Sequence, residues 1–299
     1  MSKSLKAWFS VARVNFLPLS VILVFLGTAV AFYEGFHSVS RAALALAGLM
    51  LLHMSVNVLN EYYDYRSGLD FKTPKTPFSG GSGTLPAGLL DPKKVYLFGI
   101  ACFLLGAFIG VIFLFITKLL IMPIIVLGAI FILFYTTHLA RWLLGELAAG
   151  MGMGFLPVLG SYVVQAGSYS LNAVIAAVPS GILVFNLLFL NEFPDLEADR
   201  DVGRRNLVIL LGRKKVRWLY SFLTVFVYFW ILFACFIDYM PLTSMLGLLT
   251  IPFGFKAIKT TIKNYDKREE LLPALGANVV VVLATQLLIG IGYLIATYI

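Results

Sequence analysis

The stretch AALALAGLMLLHMSVNVLNEYYD, residues 42–64, runs nineteen residues without a formal charge and then closes on Glu61 and Asp64. About twenty apolar residues at ~1.5 Å each cover the ~30 Å of a bilayer's hydrocarbon core, so the run reads as a membrane-crossing helix. Its last turns carry the acids. An ionised Asp in a membrane helix costs about 2.5–3.5 kcal/mol on insertion scales, which makes such acids functional candidates. Asn57, Asn60, Glu61 and Asp64 recur at i, i+3, i+4 and i+7 and therefore share one helical face. Gly68 is placed to stop the helix and turn Asp70 back toward that face, with Tyr62, Tyr63 and Tyr65 at interfacial depth.

A second stretch repeats the arrangement. Asn191-Glu-Phe-Pro-Asp195, running on to Asp199, also closes an apolar run and lies 131 residues after Asn60 (191 minus 60). Asp195 and Asp199 are i and i+4, while Pro194 predicts a break and a fresh helical start at Asp195. The spacing hints at an old duplication with a site between repeats.

Of 299 residues, 60% are hydrophobic and 13% charged, with mean hydropathy +0.91. That excludes a soluble globular domain and predicts an all-α membrane bundle around a central cavity. Nine helices are expected near residues 13–33, 42–63, 94–116, 119–137, 143–165, 172–192, 216–237, 241–261 and 273–297, in a single transmembrane domain covering 1–299. Lys3, Lys6 and the small residues Ala29-Val-Ala31 resemble a secretory signal, but the run is long for one and eight spans follow, so it is read as the first helix.

With the N-terminus inside, the inner segments 1–13, 64–94, 138–146, 193–217 and 256–270 hold 21 of the 23 Lys and Arg residues. Only Arg41 and Lys118 fall outside, as the positive-inside rule expects for a multi-pass protein of the cell membrane. Both acidic motifs and the cap loops after helices two and six then face the cytoplasm. The net charge of +8 is accounted for by topology and lipid headgroups, with no call for nucleic acid. Cys102 and Cys235 match no redox or metal spacing and read as packing residues.

Four aspartates on one cavity suit a hard divalent cation. Mg²⁺ takes one or two carboxylates, keeps waters and fills its shell with substrate phosphates. Asp64, Asp70, Asp195 and Asp199 would supply that charge, with Asn60, Glu61 and Asn191 as further oxygen ligands. The opposing reading makes them helix-end acids paired with Arg66, Arg200, Arg204 or Arg205; two copies on one membrane face weigh against it. Lys72 and Lys75 after the first motif, and Arg204 and Arg205 after the second, are candidates to grip diphosphate oxygens. The loop Phe78-Ser-Gly-Gly-Ser-Gly-Thr-Leu-Pro86 lacks Gly-Lys-Ser/Thr and is not a P-loop. His53, Asn186, Asn278 and Gln286 read as interhelical contacts.

Nine helices with paired Asn/Asp motifs after the second and sixth resemble the UbiA superfamily of intramembrane prenyltransferases over essentially the whole chain. Asn60-x-x-x-Asp64-x-x-x-Gly68-x-Asp70 is similar to the dihydroxynaphthoate polyprenyltransferase branch of menaquinone synthesis. Asp195-Leu-Glu-Ala-Asp199 with Gly203-Arg-Arg-Asn-Leu, Tyr135-Thr136, Leu144-Gly145-Glu146, and Arg13 with Asn15, Leu17 and Pro18 match its other signatures. The resemblance implies that a Mg²⁺-bound polyprenyl diphosphate ionises to an allylic cation, which an electron-rich aromatic acceptor captures inside a bundle open to lipid. It implies Asp64, Asp70, Asp195 and Asp199 as the catalytic acids and Mg²⁺ as cofactor. Arg141 is the counterpart of a diphosphate-binding basic residue, displaced by one position, and Asn57 and Tyr135 fall among the substrate-binding positions. Glu61 stands where an Asp is usual, Ser82 where an Arg is common, and a Pro-Pro pair is missing from 135–141.

Hydroxybenzoate, lipid-alcohol and carotenoid acceptors are alternatives within the class. A transporter would place its acids at the bilayer midplane on broken helices, not at one interface. An alcohol phosphotransferase would need an Asp-Gly-x-x-Ala-Arg signature, which is absent.

Overall fold

The computed structural model describes residues 3–73, 76 and 80–299; Lys75 and Phe78 lie outside them. Among the described residues every regular element is helical. Eight segments are long and apolar enough to cross a membrane: Val14–Tyr33, Val39–Ser67, Pro92–Ile116, Gly145–Ala166, Leu171–Asp201, Arg213–Phe236, Leu242–Asn264 and Arg268–Thr297. The helices they contain, with the shorter ones between, are α1 (Lys3–Val11), α2 (Pro18–Tyr33), α3 (Val39–Ser67), α4 (Leu69–Lys72), α5 (Pro92–Ile116), α6 (Met122–Phe134), α7 (Gly145–Gly150), α8 (Leu156–Ala166), α9 (Leu171–Asp201), α10 (Leu207–Leu211), α11 (Arg213–Phe236), α12 (Ile251–Asn264) and α13 (Arg268–Thr297).

Two expectations change. The span expected at 119–137 is α6, only 13 residues and so roughly 20 Å, less than the ~30 Å hydrocarbon core. Lys118 and Leu119 turn with φ of 49° and 69°, which spends the preceding residues on a tight corner. The second change is at Pro194, where α9 runs straight through to Asp201. A proline removes one backbone donor, and membrane helices tolerate this where neighbours and local adjustment satisfy the freed carbonyl. The segment between α7 and α8 winds as a wide π turn over Met151–Phe155, with Met153 off helical angles at φ −119°, ψ 20°.

Helix ends follow local chemistry. Asp91 caps α5 through Lys93 N at 2.7 Å, ahead of Pro92 in the first turn. Gly68, at φ 81°, closes α3 by donating to the Asp64 and Tyr65 carbonyls, and the chain re-enters as α4 with Asp70 in its first turn. Helix α9 packs against α7, α8, α11 and α13, while α3 packs against α5 and α2 against α8 and α13. The contacts are made close by small residues, as membrane interfaces require. A Cβ on Gly27 would stand 2.2 Å from the Val158 carbonyl oxygen, and one on Gly154 would stand 2.4 Å from that of Ser180. Leu23, Leu26, Val30, Val158, Tyr162 and Ala176 form the centre of the buried core.

Candidate active site

The two acidic motifs meet at Arg204. Beyond α9, Gly203 turns the chain at φ 78°, so that Arg204 N donates to the Asp199 carbonyl at 3.0 Å. The Arg204 guanidinium then reaches both motifs. Nη2 donates to Asp64 Oδ1 of α3, and Nη1 donates to Asp199 Oδ1 of α9 at 3.3 Å. Asn206 secures the other Asp199 oxygen with Nδ2 at 3.2 Å, while its own Oδ1 caps α10 through Ile209 N. Carboxylates 135 residues apart (199 minus 64) thus share one cation. Burial alone would lower the affinity of Arg204 for its proton, but the Asp64 and Asp199 charges hold it above the ordinary value.

These groups cap a cavity of about 400 Å³. Asn57, Asn60, Asp64, Asp70, Tyr135, Asn191, Asp195, Asp199, Arg204 and Arg205 all line it, with Arg13 and Glu192. Farther from the acids the wall is apolar and comes from α3, α5, α6 and α8, with Leu49, Phe103, Phe113, Ile124, Phe131 and Leu156 among its residues. An amphipathic ligand with an anionic head and a hydrocarbon tail matches that gradient.

Asp70 stands in an electrostatic conflict. It is buried, and Oδ2 has no hydrogen-bond partner. Burial, followed by the Glu61 and Asp64 charges, pushes its carboxyl up to about 7 against the pull of Arg13 and Arg204. Gly81, at φ 67°, leaves room beside it that a Cβ would fill at 2.6 Å from Oδ1. A carboxylate oxygen buried without a donor, among other oxygen ligands, is the environment a hard cation relieves. Asp64, Asp70, Asp195 and Asp199 with Asn60 and Asn191 therefore fit Mg²⁺ by donor chemistry. Among the described residues no three acidic, His or Cys side chains close on a single ion-sized point, because Arg204 stands between Asp64 and Asp199.

Other candidates separate from this group. Glu61 does not line the cavity. Arg13 donates to its Oε1 from Nε at 3.1 Å and Nη2 at 2.8 Å, Ser82 N adds a third bond at 2.7 Å, and Ser82 Oγ takes Oε2 at 2.7 Å. With both oxygens engaged, Glu61 braces Arg13 and the glycine loop and stands outside the group of acids that line the cavity. Ser82, at the position where an arginine is common, faces inward to the same carboxylate. Lys72 pairs with Asp201 at 3.5 Å on the surface and stays out of the cavity. Arg141 lines a smaller polar cleft of about 220 Å³ with Arg66 and Thr136, walled off from the main cavity by Asp64 and Arg204. Asn60 donates to Thr136 Oγ1 at 3.1 Å, and Arg205 is held by its backbone N–H on the Ala140 carbonyl at 2.9 Å. His53, read from sequence as a packing contact, lines the cavity with Nδ1 2.8 Å from Ser20 Oγ.

Glu146, Glu192 and Asn206 were not singled out by sequence as site residues. A signal for Glu192 existed: Leu188, Glu192, Asp195 and Asp199 follow helical spacing and all line the cavity. Pro194 hid it by suggesting that the face was interrupted.

Residues 20–295 match the model of the UbiA prenyltransferase family. The chain is 29% identical over 242 residues to the UbiA prenyltransferase domain-containing protein 1 of Xenopus tropicalis, covering 79% of this chain and 68% of that protein. It is 28% identical over 229 residues to the 1,4-dihydroxy-2-naphthoate octaprenyltransferase of Haemophilus influenzae, covering 73% of each. In fold it matches a UbiA homologue from Archaeoglobus fulgidus solved with DMAPP and Mg²⁺, at TM-score 0.66 and 14% identity over 96% of this chain and 98% of that one. A ring of acids around one arginine, over an apolar cavity in a helical bundle, is thus found in a chain that belongs to the UbiA prenyltransferase family and is a prenyltransferase.

Proposed function

We propose that this protein transfers a polyprenyl group from a polyprenyl diphosphate to an aromatic acceptor, 1,4-dihydroxy-2-naphthoate, in a Mg²⁺-dependent reaction at the cytoplasmic face of the cell membrane. The observation that carries the reading is the convergence of Asp64 and Asp199 on Arg204 at the head of an apolar cavity. The acceptor rests on the relatives in Haemophilus influenzae and Bacillus subtilis that carry that name, at 28% and 24% identity. The orientation rests on the sequence segments expected on the side of the acids, which hold 21 of the 23 Lys and Arg residues. The chain acts as one domain throughout.

Asp64, Asp70, Asp195 and Asp199, assisted by Asn60 and Asn191, would hold Mg²⁺, which neutralises the diphosphate and stabilises the charge growing on it as the C1–oxygen bond breaks. Arg204 and Arg205 offer guanidinium donors to diphosphate oxygens at the same rim. Tyr135 and Asn57 line the same cavity and would stand beside the reacting carbon. Leu49, Phe113 and Ile124 exclude water, so the allylic cation meets the acceptor ring before it meets solvent, and the ring carbon that bonds to C1 then sheds its proton or carboxylate to restore aromaticity.

The test is the purified protein with a panel of prenyl diphosphates and aromatic acceptors, with Mg²⁺ or EDTA. Prenylated naphthoate should form only with Mg²⁺, and Asp64→Ala or Asp195→Ala should each cut turnover by at least about 100-fold while the fold is kept. Product formation in EDTA would defeat the metal role. Turnover confined to another acceptor would replace the naphthoate and leave the reaction class intact.

A further inference from the structure

One buried carboxyl in this cavity has no task in the scheme above. Glu192 sits on α9 three residues before Asp195, on the same face and one turn deeper in the membrane. It is 8% exposed, and its Oε2 is buried without a hydrogen-bond partner. Its neighbour Glu146, 1% exposed, is itself held by the Leu207 N–H on Oε1 at 2.6 Å. Glu146 and Glu192 lie within hydrogen-bonding reach of each other. Tyr135, at the end of α6, lies within electrostatic reach of Glu192, Glu146, Asp64 and Arg204.

An acid in a membrane helix is retained where it does something, and an acceptor atom left bare in an apolar wall is waiting for a donor. The metal-facing rim lies a turn above, so Glu192 is positioned at the depth where a ring must stand to reach C1 of a prenyl diphosphate. Water on Mg²⁺ donates at the rim, a turn away, and the diphosphate brings no donor to the depth of Glu192. A phenolic hydroxyl does.

We infer that Glu192, backed by Glu146, is the residue that positions the acceptor, its Oε2 taking a hydrogen bond from an acceptor hydroxyl. This rests on the prenyl-transfer reading above and adds a requirement: the acceptor must carry an O–H donor on the ring. Glu192 acts by orientation. It sets which ring carbon faces C1 and leaves ionisation of the diphosphate to the rim.

The experiment compares KM for 1,4-dihydroxy-2-naphthoate and for the prenyl diphosphate in the wild type, Glu192→Gln and Glu192→Leu, and repeats the acceptor series with the hydroxyls methylated. The expected result is a rise in acceptor KM of tenfold or more in Glu192→Leu, with prenyl diphosphate KM within twofold of wild type. Glu192→Gln keeps an oxygen acceptor at the position and should recover most of the loss. Methylation should cost the wild type tenfold or more and Glu192→Leu little, since the partner is already gone. Mn²⁺ binding, read by electron paramagnetic resonance, should be unchanged in all three. If prenyl diphosphate KM or Mn²⁺ affinity moves instead of acceptor KM, Glu192 belongs to the metal rim and the inference is overturned, while the functional reading stands. Equal use of hydroxylated and methylated acceptors by the wild type overturns it without any variant. A wild type that prenylates no aromatic acceptor removes the functional reading and this inference with it.

Discussion

Arg204 is the residue on which the resting site depends. Its side chain is 20% exposed, and those of Asp64 and Asp199 are 8% and 5% exposed, so the triad is largely out of water. Breaking a buried pair by deleting one partner typically costs about 3–5 kcal/mol, because the other charge is left unpaired. Arg204→Gln should therefore lower the melting temperature, and saturating Mg²⁺ should restore more of it than the same ion adds to the wild type. An equal Mg²⁺ response in both proteins would show that cation and guanidinium do not compete for the same carboxylates. Glu61 makes the complementary case. Glu61→Ala removes four bonds to Arg13 and Ser82 and should cost a similar ~3–5 kcal/mol, with Mn²⁺ affinity unchanged. Loss of Mn²⁺ binding in that variant would return Glu61 to the metal set.

At the level of elements, the hydropathy pattern located the start of each of the eight long spans to within five residues, since burial in lipid is written directly in composition. It overestimated the length of α6, where a tight corner at Lys118 and Leu119 is set by backbone angles that hydropathy does not report. It also overread Pro194, because a proline's effect on a helix depends on what else satisfies the freed carbonyl, and that lies on other helices. The spacing in the first motif was legible, but the direction Glu61 takes was not: Glu61 shares a helical turn with Asp64 and is captured by Arg13, 48 residues away in sequence. Helix-to-helix approach is equally invisible in sequence and can be tested. Gly154→Ala drives a Cβ into the Ser180 carbonyl of α9 and should destabilise by about 1–3 kcal/mol. Gly128 in α6 has nothing within 4 Å of an added Cβ, so Gly128→Ala should be neutral or stabilise by up to about 1 kcal/mol. Thermal unfolding in one detergent separates them; equal melting temperatures would mean α7, α8 and α9 are not packed as described.

For the whole molecule, the decisive property is that two motifs far apart in sequence lie at one end of the bundle. Asp64 ends α3 and Asp199 lies near the end of α9, so both helices must run in the same direction for one arginine to bind both. The opposite end is tied by its own polar cluster, where Glu34 accepts from the Tyr162 hydroxyl, from Ser170 Oγ at 2.7 Å and from Asn172 Nδ2 at 3.0 Å. Helix α6, although short, carries the chain from Lys118 to Tyr135 at the acid cap. These relations fix a labelling pattern. Cysteines placed at exposed Lys93 and Lys214 belong to the acid end, and those at exposed Ser40 and Lys118 to the Glu34 end. The native Cys102 and Cys235 are buried and should give little background. In sealed right-side-out vesicles an impermeant maleimide should modify Ser40→Cys and Lys118→Cys, and reach Lys93→Cys and Lys214→Cys only after lysis. The reverse pattern would turn the protein over in the membrane and put diphosphate chemistry outside, against the distribution of 21 basic residues. Labelling that split Lys93 from Lys214 would be more serious, because the two acidic motifs could then no longer share a face.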